Sequence, residues 1–226
     1  PSYPSIQSAI TAANSDDTII ISPGTYNVTS GYSIDKNITI KGSNPDDPNV
    51  VATTVIRKQS CGSPECSTNR PFIFNNTVAT LDGLTITTDG GRYHGRDQDP
   101  NTGPGGRGDN GGSVAGGVIG CFGSSPTIKN CVISNSYIRG GSGGTGGNGG
   151  GTGDSANPNG GPGGEPGYAY GAGLYCSASS PNIINCSFID CTVADGNGGD
   201  GGNGITIHGV DGIGGCPGGY ANRANT

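Results

Sequence analysis

Cys121-Phe-Gly-Ser-Ser-Pro-Thr-Ile-Lys-Asn-Cys131 returns 55 residues further on as Cys176-Ser-Ala-Ser-Ser-Pro-Asn-Ile-Ile-Asn-Cys186. At that shift Ser125, Pro126, Ile128 and Asn130 fall on Ser180, Pro181, Ile183 and Asn185, while Ile133 falls on Phe188, so apolar character survives where identity does not. A weaker copy, Leu81-Asp-Gly-Leu-Thr-Ile86, lies 47 residues before the first, and Asn37-Ile-Thr-Ile40 lies 46 before that. Each copy sets apolar residues on both sides of Asn37, Gly83, Asn130 or Asn185, residue types that tolerate left-handed backbone at a tight bend. One rung of such a coil cannot bury its own apolar face, but rungs stacked ~4.8 Å apart cover one another and pair their backbones. The repeat therefore predicts at least four stacked rungs.

Working outward, Ser5-Ile-Gln-Ser-Ala-Ile-Thr-Ala-Ala13 has apolar residues at 6, 9, 10 and 13, which is helical spacing, with Ser5 placed as N-cap. This one helix would cover the open edges of the first rung. Thr18-Ile-Ile-Ile-Ser22 is a β-branched run closed by Pro23-Gly24, a strand followed by a turn, and strand and loop are expected from there on.

These segments, Ser5 to Ile10, Asp17 to Tyr26, Leu81 to Ile86 and the two Ser-Ser-Pro-x-Ile-x-Asn-Cys turns, resemble the right-handed parallel β-helix proteins of the pectin-lyase-like superfamily. The likeness covers roughly residues 3 to 88 and 115 to 195 and is strongest to large secreted or surface members. It implies an all-β fold, a right-handed single-stranded parallel β-helix with an N-terminal capping helix, in a single domain spanning residues 1–226. It implies fold far more firmly than chemistry.

The chain departs from a plain β-helix in glycine-rich insertions at about residues 90–117, 140–170 and 196–219, each starting shortly after the last strand of a rung, so that they should leave on one side. There are 47 glycines among 226 residues, about three times the usual share, and in the tracts glycine keeps a period of three, as in Gly140-Gly-Ser-Gly-Gly-Thr-Gly-Gly-Asn148. Three is the polyproline II period, and the phase is held over two or more turns, which favours an ordered bundle of extended segments over flexible linker. Springtail glycine-rich antifreeze proteins are similar in this local pattern only.

Charge and composition exclude several classes of function. A net charge of −6 with 11 Lys and Arg gives no basic stripe for nucleic acid. No apolar run is long enough to span a membrane. The chain has no Met and opens Pro1-Ser-Tyr-Pro4, which reads as a processed segment of an extracellular or cell-surface protein. The eight cysteines lack the CxxC pairs of structural zinc, so disulfides are favoured over metal. Cys61 with Cys66 brackets a short loop. Cys121 with Cys176, and Cys131 with Cys186, occupy equivalent places on successive rungs, where a bond is permitted and buried thiol stacking equally so. Cys191 and Cys216 complete the candidates. Four N-x-S/T sequons stand at Asn27, Asn37, Asn75 and Asn185, with Asn27 and Asn75 the better glycosylation sites because the other two hold the corner position.

The densest group of reactive side chains is Asp89, Arg92, Tyr93, His94, Arg96, Asp97 and Asp99. A polysaccharide-cleaving site would need such acids and bases, yet the bland reading, a solvated loop root, is preferred. The resemblance implies paired or metal-binding carboxylates on consecutive rungs for enzymes of this fold, and none is evident here. No catalytic residue, metal ligand or cofactor is therefore assigned, and the chain is expected not to be an enzyme. Asp109, Asp195, Asp200 and Asp211 beside the tracts leave calcium as a minor option. Arg107-Gly-Asp109 is attributed to chance. The leading expectation is a structural or adhesive surface protein that self-associates through its β-helix ends into a filament. The alternatives are a carbohydrate-active β-helix enzyme or polysaccharide-binding module with glycan partners, and an ice-binding surface using Thr39, Thr85 and Thr87.

Overall fold

The computed structural model describes residues 1–59, 70–89, 92–94, 98, 103–150, 157–204, 206–207, 210–211, 213 and 216, with backbone alone for 92–94, 206–207 and 210–211. The first rung is β1 (Thr18–Ile21), β2 (Gly24–Val28) and β3 (Tyr32–Ile34), and the second is β4 (Thr39–Gly42), β5 (Thr54–Lys58) and β6 (Phe72–Asn75). The third comprises β7 (Thr80–Asp82), β8 (Thr85–Thr88), β9 (Arg92–His94), β10 (Val114–Ala115) and β11 (Ile119–Phe122). The fourth has β12 (Thr127–Lys129), β13 (Val132–Arg139), β14 (Ala169–Tyr170) and β15 (Leu174–Ser177), and the fifth β16 (Asn182–Ile184) and β17 (Ser187–Ala194). Three parallel sheets result, β1-β4-β7-β12-β16, β3-β6-β11-β15 and β2-β5-β8-β13-β17. This is an all-β parallel β-helix.

Stacking aligns like with like. Ile40, Leu81, Ile128 and Ile183 form one column, Ile56, Ile86, Ile133 and Phe188 a second, and Tyr32, Phe72, Ile119 and Leu174 a third. From the second to the fourth rung these side chains are fully buried, except the partly buried Leu174, and they carry the core of the coil. At the corner after the first sheet, Gly83, Asn130 and Asn185 have φ of 66°, 52° and 49°. Their amides build a ladder, with Asn185 Nδ2 donating to Asn130 Oδ1 (2.8 Å) and Asn130 Nδ2 to Asp82 Oδ1 (3.0 Å).

The second rung corrects the sequence alignment. Thr39 and Ile40 pair with Thr80 and Leu81, not with Thr85 and Ile86, so the residue beside Gly83 is Gly42 and not Asn37. Asn37 belongs to a different corner, where its Oδ1 accepts from Thr77 Oγ1 and the Val78 amide. The expected Thr39, Thr85, Thr87 face is lost with that alignment, since Thr39 lies in another sheet and Thr87 is buried.

Helix α1 (Ile6–Ala12) buries Ile6, Ala9 and Ile10 on the first rung and is closed by a Ser5/Ser8 capping box. Lys36 Nζ donates to the carbonyls of Ile10, Thr11 and Ala13, satisfying the helix C-terminus. A second helix, α2 (Pro48–Thr53), was not expected. Its signals are Asp47, whose carboxylate accepts from the Asn49 amide, and Pro48 in the first turn.

The glycine tracts form the side bundle that their period predicts. Residues 140–149 occupy its centre. Gly141, Gly144 and Gly147 donate backbone bonds to Gly112, Asp109 and Gly106, while Gly143, Gly146 and Gly149 donate to Asn197, Asp200 and Asn203. Gly161, Gly164 and Gly167 of the returning segment donate back to Gly147, Gly144 and Gly141. Two of every three amides of the central segment thus bond a neighbouring segment, and a Cβ on Gly164 would run into the carbonyl of Asp109.

Candidate functional site

The β2-β5-β8-β13-β17 sheet bends within its last two strands. In β13 the backbone turns left-handed at Asn135 (φ 54°), and in β17 it does so at Asp190 (φ 52°). Ser134 pairs with Ile189 and Ser136 with Cys191 on either side, so the two bent residues lie one above the other. Asn and Asp are the types that accept this conformation.

Beside this bend lies a cleft of about 740 Å³. It is lined by Val55, Arg57, Thr85, Thr87, Thr88 and Asp89 of the second and third rungs, and by Ser134, Asn135, Ser136, Tyr137 and Asp190 of the fourth and fifth. The floor is held by hydrogen bonds. Asn135 Nδ2 donates to Thr87 Oγ1 (3.2 Å), Thr87 Oγ1 to the Ser134 carbonyl (3.3 Å), and Thr88 Oγ1 to the Asn135 carbonyl. Lys58 is buried beside this floor and donates to the Gln59 carbonyl (3.0 Å). Burial lowers its pKa, an effect opposed by the nearby Asp89 carboxylate. The cleft therefore offers one exposed guanidinium, two exposed carboxylates, hydroxyls, an amide and a half-buried phenol ring.

Sequence reasoning found Asp89 but missed its company. Arg57 and Asp190 come from other rungs, and the only sequence signal for Asp190 is that the 55-residue shift carries Asn135 onto it. β9 pairs with β13 as Tyr137 to Arg92 and Arg139 to His94, which sets the loop root next to the cleft. The side chains of Arg92, Tyr93 and His94, and residues Arg96, Asp97 and Asp99, lie outside the described residues, as do Cys61 and Cys66. A second hollow of about 870 Å³ lies under the N-terminal segment and mixes apolar and polar groups, among them Tyr3, Ile6, Tyr26, Asp17, Thr18 and Asn27.

The remaining candidates are placed as follows. Cys121 faces Cys176 in register, and Cys121, Cys131, Cys176, Cys186, Cys191 and Cys216 all carry free thiols. Asn27 is exposed, whereas the Asn75 amide donates to Ser33 Oγ (3.0 Å) and Asn185 is engaged in the corner ladder. Asp195 accepts from the Ala169 amide (3.3 Å), and among the described residues no group of three or more acidic, His or Cys side chains could hold a metal ion. Also among the described residues, no helix is long and apolar enough to cross a membrane.

The fold defines a class, the parallel β-helix with a glycine-rich flank. No protein-family model matches the sequence, and no curated protein matches it. Among solved structures it is similar to two of the pectin methylesterase from Aspergillus niger, a penultimately deglycosylated form (TM-score 0.36) and a deglycosylated form (0.35). Each is 12% identical and covers 83% of this chain and 82% of its own. Both neighbours are enzymes, which corrects the expectation of a non-enzyme. That expectation rested on the absence of carboxylates sharing a site, whereas Asp89 and Asp190 line one cleft. At this level of likeness no reaction is transferred.

Proposed function

We propose that the chain is an extracellular carbohydrate-active β-helix protein of the pectin-lyase-like superfamily, and that the cleft at the β13 bend holds a segment of polysaccharide. The observation that carries this reading is the lining itself. Asp89 and Asp190 are acceptors for vicinal sugar hydroxyls, Asn135 and Arg57 are donors, Thr85 Oγ1, which donates to the Val51 carbonyl, is a further acceptor, and the Tyr137 ring is a surface for a sugar face. The cleft is open to solvent and crosses several rungs, which suits a polymer more than a small molecule. Among the described residues, two carboxylates against one exposed cation favour a neutral, hydroxyl-rich chain over a polyanion. The exposed Asn27 sequon accords with export.

The test is affinity electrophoresis or calorimetry against neutral and acidic polysaccharides, with analysis of the glycan for new ends or released esters. Tyr137→Ala and Asp190→Asn should each weaken binding about tenfold, which corresponds to about 1.4 kcal/mol. Binding unaffected by both substitutions would overturn the reading.

A second reading, self-association, rests on the far end of the coil. There Ile183, Ile184, Phe188 and Ile189 are exposed, and among the described residues β16 and β17 have no neighbour on their outer edges. Unpaired edges recruit strands. The opposite end is covered by α1, so copies meeting through their open ends would form a closed pair and not a filament. Sedimentation across concentration tests this, with a monomer at all concentrations as the negative result.

A further inference from the structure

We propose that Cys131 and Cys186 form a thiol–disulfide exchange site between the fourth and fifth rungs, with a low-molecular-weight disulfide as its oxidant. The register places them together. Lys129 pairs with Ile184 and Val132 with Ser187 on either side, and the Ser187 amide donates to the Cys131 carbonyl (2.9 Å). Adjacent strands lie ~4.8 Å apart, within the ~4.4–6.8 Å between Cα atoms that a disulfide bridges. Both side chains enter the same core: Cys131 is 1% exposed and Cys186 is partly buried against it. The Cys131 sulfur lies 3.1 Å from the Lys129 carbonyl oxygen, and the Cys186 sulfur 3.3 Å from those of Ile128 and Ile184. Cys186, on the last described rung, is the member that solvent reaches.

Electrostatics then divides the roles. The Cys131 thiol, donating toward the Cys186 sulfur, pulls the Cys186 pKa down to about 6, whereas that contact and burial push Cys131 up. A thiolate is the nucleophile in exchange. The other stacked pair lacks one, because burial pushes Cys121 up to about 12 and raises Cys176 as well.

In the first step the Cys186 thiolate attacks one sulfur of the small disulfide, forming a mixed disulfide and expelling one small thiolate. In the second, Cys131 gives up its proton, attacks the Cys186 sulfur and expels the second small thiolate, which ends protonated. Two protein thiols and one small disulfide become one protein disulfide and two small thiols.

The test is incubation of the folded protein with glutathione disulfide, followed by iodoacetamide and peptide mass mapping. The expected wild-type product is a cross-linked peptide pair bearing Cys131 and Cys186, each unavailable to alkylation. Cys131→Ser should trap the glutathione adduct on Cys186, and Cys186→Ser should leave Cys131 unmodified. Adduct formation on Cys186 should persist to lower pH than on an ordinary thiol, because the Cys131 thiol beside it lowers its pKa. The proposal fails if glutathione attaches only to Cys176 or Cys216 while Cys131 and Cys186 stay reduced, or if Cys131→Ser leaves Cys186 unreactive while circular dichroism shows the fold intact.

Discussion

Asn130 carries two duties at one position, a left-handed backbone and the middle of an amide ladder. Asn130→Ala removes the ladder bonds and leaves a Cβ in a strained conformation, so it should destabilise by about 2–3 kcal/mol. Asn130→Gly keeps the backbone free of strain and should cost about 1 kcal/mol. Urea denaturation of the two variants separates the contributions, and equal losses would mean that backbone strain is unimportant there. Lys36 offers a second residue-scale test. Lys36→Met deletes three bonds to helix carbonyls and should lower stability by about 1–3 kcal/mol, read by the same method. Position 130 was legible in the sequence because Asn recurs there at a fixed shift. Asn37 was misread because a four-residue match cannot distinguish one corner of a rung from another, and only the pairing of Thr39 with Thr80 resolves it.

Among the elements, the glycine segments were the most legible. Their triplet phase is a local property of the chain, and each glycine removes a side chain where two backbones must touch. Gly164→Ala would drive a methyl group into the Asp109 carbonyl and part the segments. The expected result is faster amide exchange at Gly144 and Gly147 with the exchange of Ile86 and Ile133 unchanged. Glu165→Ala, at an exposed position with an ion pair to Arg107 of 3.5 Å, should change stability by no more than about 0.5 kcal/mol. The cleft was far less legible. Its lining residues come from four rungs, and the bend beside it depends on left-handed backbone at Asn135 and Asp190, a conformation that neither residue type dictates. Helix α2 was missed for a related reason: six residues without apolar periodicity carry only cap signals.

For the molecule as a whole, the two ends of the coil differ. One is covered by α1, and the other exposes Phe188 and Ile189. Phe188→Lys together with Ile189→Lys should abolish any concentration-dependent sedimentation while leaving the melting temperature within a few degrees. Closing Cys131 to Cys186 would link residues 55 apart. In the chain-entropy picture that adds about 4 kcal/mol. Calorimetry of the oxidised protein should then show a melting temperature higher by about 10 °C.

The bundle also constrains how this architecture can vary between related sequences. Because every third residue of a tract must be able to press against a neighbouring backbone, lengthening it by three residues extends the pattern, while adding one or two rotates bulky side chains into the contacts. The flank thus has a frame, like a coding sequence. Insertions and deletions tolerated between Gly140 and Gly149 are those that come in threes.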